Sequence, residues 1–216
     1  MGDGDRKSVD IRLLPFVQQV DAHLRASNPR GPSLWLGRTP ACLRMLGFPD
    51  LPLRMTADVF LKVATGKRGE REPITRAQLT ILPELLDAPM ALFESATVSR
   101  ALVVLTTATS KEGLVIASLE GGCREANTPA NLITSVYAKS PRFGWFAKQV
   151  SEGRLRYADK EKGFDTLEVS GRTLNCGAEP GSRNPSARKV LLPEDLRKYR
   201  EDQRALKIGP VSAATR

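Results

Sequence analysis

The sequence predicts an α+β domain, with N-terminal helices packed on a small antiparallel sheet of about four to five strands. Two observations carry this. Apolar residues recur at helical spacing through Leu86, and from Met90 the pattern changes to short β-type runs. Within the second half, Asn131 to Lys139 is β-branched and aromatic, is bounded by Pro129 and Pro141, and reads as a strand.

Residues 1–8 are polar and rich in Gly and Asp, so they predict no regular structure. From Ile11 to Ser27, Leu13, Leu14, Val17, Val20 and Leu24 keep a helical period, and Pro15 confines the regular helix to the residues after it. His23, the only histidine, falls in this helix beside Asp21 and Arg25 and reads as a surface or edge residue. Asn28 to Ser33 is a loop. After the short apolar piece Leu34 to Gly37, Thr39-Pro40 opens a helix, with Thr39 as N-cap, Pro40 at the first helical position and Gly47 closing it. Leu51 to Met55 is extended. Thr56 caps a helix over 57–64 that ends at Gly66, and Lys67 to Glu72 is a charged loop. Ile74 to Leu86 is helical with an interruption at Pro83. Met90 to Phe93, Leu102 to Thr106 and Leu114 to Leu119 are strands, with turns at Glu94-Ser95, Lys111 to Gly113 and Gly121-Gly122. The strand 131–139 comes next, then a helix from Pro141 to Glu152 and a last strand from Arg154 to Asp159. Beyond Gly171 the chain is rich in Gly, Pro, Ser and Arg and reads as a tail, with a weak helix over 193–206. The division is thus 1–33 as N-terminal helix and linker, 34–170 as the domain, and 171–216 as a basic, flexible tail.

The 216 residues are 41% hydrophobic, enough for one core, and the net charge of +9 points to polyanionic partners. More than half of that excess, +5, lies in residues 172–216, where charge also serves a solvated arm. Cys42, Cys123 and Cys176 are odd in number and lack Cys-x-x-Cys spacing, which predicts reduced thiols in a cytoplasmic protein rather than a disulfide framework or a zinc site. No clustered His/Asp/Glu set predicts a metal, and no Gly-x-Gly-x-x-Gly or P-loop predicts a nucleotide, so no cofactor is expected. The N-terminus lacks a signal-peptide apolar region, and no apolar run approaches the ~18 residues of a membrane span, so no membrane partner is expected.

Regular alternation along 131–139 places Asn131, Ile133, Ser135, Tyr137 and Lys139 on one face and Leu132, Thr134, Val136 and Ala138 on a core face. Polar groups on the first face would be about 6.6 Å apart, at about 3.3 Å rise per residue. That row reads in two ways. It suits an anionic ligand lying across the sheet, and it equally suits the solvated face that an antiparallel sheet has by default.

Several pieces in series resemble the phage MuF C-terminal domain, a family found in phage head-morphogenesis proteins and in large proteins of phages and mobile elements. They are Leu36-Gly37-Arg38-Thr39-Pro40 with Leu43 and Gly47; Leu51 to Met55; Lys62; Leu82 to Pro89 running into Met90 and Phe93; Leu102 to Leu105; Ser135-Val136-Tyr137 with Lys139; and Leu155 to Lys160. The resemblance implies a barnase/EndoU/RelE-like fold and a metal-independent ribonuclease or nuclease-like toxin, cytoplasmic in a bacterial host and delivered with a phage or mobile element. It also implies RNA as partner, tRNA or other single-stranded regions among the candidates, and an inhibitor protein. One departure stands out. Where many members carry a histidine base after the Lys62 helix, this chain has Gly66-Lys67-Arg68-Gly69, which excludes two-histidine transesterification.

Metal-free RNA cleavage needs a base for the 2′-OH, charge stabilisation of the phosphorane and an acid for the leaving 5′-oxygen. The catalytic candidates are Ser135, Tyr137, Lys139 and Lys62. Tyr137 or Lys139 would need a pKa brought down from about 10, which a cluster of cations favours. Asn131, Lys67, Arg68, Arg154 and Arg156 are the nucleic-acid-binding candidates, and Tyr137, Tyr157 and Trp145 are candidates for stacking on bases. Each has a plainer role: Lys62 as a cation at a helix C-terminus, Lys67 and Arg68 as a solvated loop, and Arg154 and Arg156, on one face opposite Leu155 and Tyr157, as charge blunting an edge strand. The function expected is therefore a ribonuclease-like domain, or a catalytically silent nucleic-acid-binding or phage-particle interaction module of the same fold.

Overall fold

Backbone hydrogen-bonding groups taken out of water need partners, and here the extended segments find them in one another. The computed structural model describes residues 14–66, 71–140, 144–164 and 190–208. Its strands are β1 (Leu34–Arg38), β2 (Pro52–Met55), β3 (Ala91–Glu94), β4 (Ala101–Ser110), β5 (Gly113–Glu125), β6 (Thr128–Lys139) and β7 (Leu155–Ala158). The helices are α1 (Phe16–Ala26), α2 (Ala41–Met45), α3 (Ala57–Thr65), α4 (Arg76–Thr80), α5 (Leu82–Asp87), α6 (Trp145–Ser151) and α7 (Pro193–Ile208). All seven strands join one sheet in the order β1-β2-β6-β5-β4-β3-β7. The α+β class holds, but the sheet is larger than four to five strands and it is mixed. The two short segments read only as apolar or extended pair with each other as β1 and β2, and β2 then pairs parallel to β6 through Leu53↔Asn131 and Met55↔Ile133.

The sheet buries both faces. On the larger face Val20 of α1, Leu43 of α2, Phe60 and Val63 of α3, Leu79 of α4 and Leu86 of α5 pack on Leu53, Met55, Val104, Val115, Ala117 and Leu119. On the smaller face Phe146 of α6 and Phe164 pack on Phe93, Val103, Leu105, Ile116 and Ala158. Central strand β4 therefore shows a continuous buried run from Ala101 to Thr106 rather than alternation. Each fully buried Phe or Leu contributes roughly 1.5–3 kcal/mol. Among the described residues no helix is long and apolar enough to cross a membrane.

Several local expectations hold. Thr56 caps α3 by accepting from Val59 N at 3.3 Å, and Gly66 closes it at φ 71°. Others are corrected. Thr39 does not cap α2. Its Oγ1 donates to Leu51 O (2.7 Å), pinning the 48–51 loop, and Pro40 takes the cap position. The break between α4 and α5 falls at Ile81, ahead of Pro83, which sits in the first turn of α5 where its missing N–H costs nothing. Gly121-Gly122 is not a turn but a bulge inside β5. The hairpin turns instead at Ala126 and Asn127, φ 47° and 64°, the left-handed pair of a tight two-residue connection. His23 is not at the surface. It is buried, its ring is edge-on to Phe60 at 5.5 Å, and its nitrogens lie 2.8 Å from Gln19 O and 2.7 Å from Pro32 O.

The ends of the described chain also join the core. Val20 in α1 and Leu196 in α7 lie in the same apolar cluster as the sheet. Leu191 bridges Tyr157, with Leu191 N donating to Arg156 O at 2.8 Å, and Arg200 pairs with Asp87 at 2.9 Å. The stretch 190–208 is thus a docked element, not part of a free tail, because Leu191, Leu196 and Tyr199 supply an apolar stripe for α2 and β7 to cover.

Candidate functional site

Strand β6 does not present its polar residues as one row. Its register with β5 runs Ser118↔Ser135 and then Leu119↔Ile133, so Thr134 is an extra residue, a β-bulge. One added residue reverses the side-chain alternation beyond it. Ile133 and Val136 consequently share the larger core, while Tyr137 packs against the smaller one. Asn131 lies on the Ile133 side of the bulge. It is fully buried, its Nδ2 donates to Thr39 Oγ1 (2.6 Å) and Pro49 O (2.8 Å), and its Oδ1 accepts from Gly122 N (2.8 Å). The amide is spent on holding the 48–51 loop against the β5 bulge, which corrects its reading as a nucleic-acid contact.

Strand β2 ends opposite Ile133, and α3, the next element in the chain, runs beside the rest of β6. Between them lies a cleft of about 310 Å³, lined by Lys62 and Val63 of α3, by Thr134 and Ser135 of β6, and by Arg71 and Glu72. Two of the expected residues, Lys62 and Ser135, therefore come together. Tyr137 joins them indirectly, since the Arg71 guanidinium sits 4.1 Å from its ring centroid. The Lys62 side chain is 73% exposed and pairs with Asp58 at 2.6 Å, one helical turn back. The Oε2 atom of Glu72 is buried and has no hydrogen-bond partner among the described residues. Lys139 is further along β6, where its ammonium lies 5.7 Å from the Trp145 ring.

Gly66 makes the cleft. It ends α3 in a left-handed conformation, and a Cβ there would lie 2.6 Å from Arg71 O and 3.0 Å from Pro73 N. Such an approach is open only to glycine, and it brings Arg71 and Glu72 back beside the helix. Sequence reading missed both residues by treating Lys67 to Glu72 as one solvated loop. The signal present was a glycine and a proline, Gly66 and Pro73, bracketing the charges. Lys67 and Arg68 themselves lie outside the described residues.

Arg154 and Arg156 are placed elsewhere, at the β7 edge, with β5, β4 and β3 between β7 and β6. A register shift between Leu92 and Phe93 puts Leu155 in the smaller core and Tyr157 in the larger, so these two do not share a face as expected. Arg156 is 8% exposed and donates to both Glu94 oxygens, at 2.8 and 2.6 Å, and to Gly153 O and Leu155 O. It locks the β3–β7 edge, with four of its five N–H donors spent on Glu94, Gly153 and Leu155. Arg154 pairs with Glu152 at 2.8 Å, which holds that carboxyl below its usual range. Tyr157, a stacking candidate, is buried, and burial raises its phenol pKa.

Among the described residues no three His, Cys, Asp or Glu side chains are grouped closely enough to hold a metal ion. The arrangement in the α3–β6 cleft offers instead two cations, two hydroxyls and, among the described residues, an unpartnered carboxylate oxygen. No curated protein and no solved structure matches the chain. Residues 64–165 match the family model of the phage MuF C-terminal domain, a stretch that begins at the end of α3, runs through β7, and contains Arg71, Glu72, Ser135 and Tyr137. Over residues 64–165 the chain is similar to the phage MuF C-terminal domain family.

Proposed function

We propose that this chain carries a metal-independent, ribonuclease-like domain of phage or mobile-element origin whose site is the cleft between α3 and β6. The observation that carries the reading is the Glu72 carboxylate, with a buried, unpartnered Oε2, in a cleft it shares with Lys62, Arg71 and Ser135. A carboxylate oxygen without a hydrogen-bond donor keeps its acceptor capacity for an incoming proton. In this reading Glu72 takes the proton from the RNA 2′-OH as that oxygen attacks phosphorus. Lys62 and Arg71 stabilise the equatorial phosphorane charge, and Ser135 orients a phosphate oxygen. The P–O5′ bond breaks with a proton supplied by Tyr137, leaving a cyclic phosphate and a 5′-hydroxyl. Glu72 thus takes the base role for which the chain has no histidine outside α1. Lys139 is two residues past Tyr137 and acts by charge.

Incubation with total bacterial RNA and tRNA in EDTA tests this. Cleavage that survives chelation, and falls about 10²- to 10⁴-fold in Glu72→Gln, fits the reading. Wild-type protein that cleaves no RNA, or cleaves equally well as Glu72→Gln, sinks it. A second reading is binding without turnover, favoured by the Lys62–Asp58 pair, which already occupies one of the cations. Retained RNA binding with steep salt dependence and no products would select it.

A further inference from the structure

A second basic cleft lies away from α3 and β6, where α7 docks against α2 beside the end of β1. It encloses about 410 Å³ and is lined by Arg38, Arg44, Arg200, Gln203, Arg204 and Asp87, among others. Two carboxylates answer four guanidiniums: Asp50 pairs with Arg38 at 2.9 Å and lies only 3.6 Å from Arg44, and Asp87 pairs with Arg200 at 2.9 Å. Arg204 has no ion pair among the described residues, and the Nε of Arg44 is buried without a hydrogen-bond partner. Arg44 is held in place by packing, its guanidinium 5.6 Å from the Tyr199 ring. Arg200, Gln203 and Arg204 lie at three- and four-residue spacing, so one face of α7 turns them into the cleft together. The site needs the fold to exist, because its arginines come from segments more than 150 residues apart in sequence.

We infer that this cleft between α7 and α2 binds phosphate groups of a single-stranded nucleic acid. Guanidiniums match phosphate oxygens in a planar, two-donor geometry; Arg204 has no carboxylate partner among the described residues, and Arg44 must share Asp50 with Arg38, so the cleft keeps an excess of positive charge. Gln203 adds a neutral donor and acceptor for sugar or base edges. The inference stands apart from cleavage in the α3–β6 cleft and concerns holding the strand.

The test is fluorescence anisotropy of the full chain with labelled 2′-O-methyl RNA of about 12 nucleotides. That ligand has no free 2′-OH to attack phosphorus, so the readout is independent of any ribonuclease activity. Wild-type affinity should fall steeply with salt. Arg204→Gln and Arg44→Gln should each weaken binding about tenfold, and together flatten the log–log salt slope by about 1.4. Lys111→Gln, which removes an equal charge from the β4–β5 turn, should change neither. Arg204 makes no ion pair among the described residues, so Arg204→Gln keeps the test decisive even if Arg44→Gln loosens α7. Equal loss in Lys111→Gln, or no loss in Arg204→Gln, would overturn the inference. Polyglutamate of equal length competing as well as the RNA would also overturn it, assigning the cleft to an acidic protein instead.

Discussion

Ile133 and Val136, three residues apart on one strand, point into the same apolar core because Thr134 between them is a bulge. In a regular strand residues at odd separation face opposite ways, so the two could not both be core residues. Ile133→Ala should cost about 2–5 kcal/mol and Val136→Ala about 1–3, each read as a shift of the urea midpoint. Thr134→Val should stay within about 0.5 kcal/mol, since Thr134 is exposed. A large loss from Thr134→Val with a small one from Ile133→Ala would mean the strand is regular.

Gly66→Ala should disturb the α3–β6 cleft more than the rest of the fold. Its φ of 71° and the 2.6 Å approach of an added Cβ to Arg71 O force the returning chain to move. The expected cost is about 1–3 kcal/mol, with loss of whatever activity or binding depends on Glu72. Thermal melting beside an RNA assay would check it. Unchanged function in a well-folded Gly66→Ala protein would show that the placement of Arg71 and Glu72 does not matter.

Asn131 and Arg156 should behave as structural residues. Asn131→Ala removes three hydrogen bonds from a fully buried amide and leaves Gly122 N without its side-chain acceptor, at a cost of about 2–4 kcal/mol. Arg156→Ala removes the bidentate link to Glu94, and since Glu94 is partly exposed the cost is discounted to about 2–3 kcal/mol. RNA affinity, measured below the melting transition of each variant, should match wild type within about twofold. A tenfold drop in affinity with unchanged stability would return these residues to the binding surface.

Burial pushes the Cys42 thiol from its ordinary 9.0 up to about 12. Its neutral form is favoured in the folded state. The stabilisation is therefore complete below pH 9 and is lost as pH rises from 9 toward 12. In a Cys123→Ser/Cys176→Ser protein, alkylation at pH 8.5 should be slow in native buffer and complete in urea. Replacing Cys42 by Ala should reduce the alkaline loss of stability. Rapid native alkylation would show that the site opens to solvent.

The features legible in the amino-acid order are those that local pattern encodes. Helical spacing in α1, the Thr56 cap and Gly66 end of α3, and the β-branched runs of β3 to β6 all belong here, because each depends on residues within a turn or two of one another. So does the series of motifs that the family match covers in part, from residue 64 onward. Tertiary structure alone decided three things. Strands β1 and β2 carry too little β-type pattern to read as strands, with Gly37 and Pro52 inside them, and exist because β6 offers an edge to pair with. The bulges at Thr134 and at Gly121-Gly122 shift register without a local signature strong enough to read, and each shift sends every later side chain to the other face. The α3–β6 cleft arises because a glycine lets the chain fold back on a helix end, and the arginine cleft because α7 docks across the molecule. Both are long-range contacts, whose partners are chosen by burial and hydrogen bonding in three dimensions rather than by neighbours along the chain.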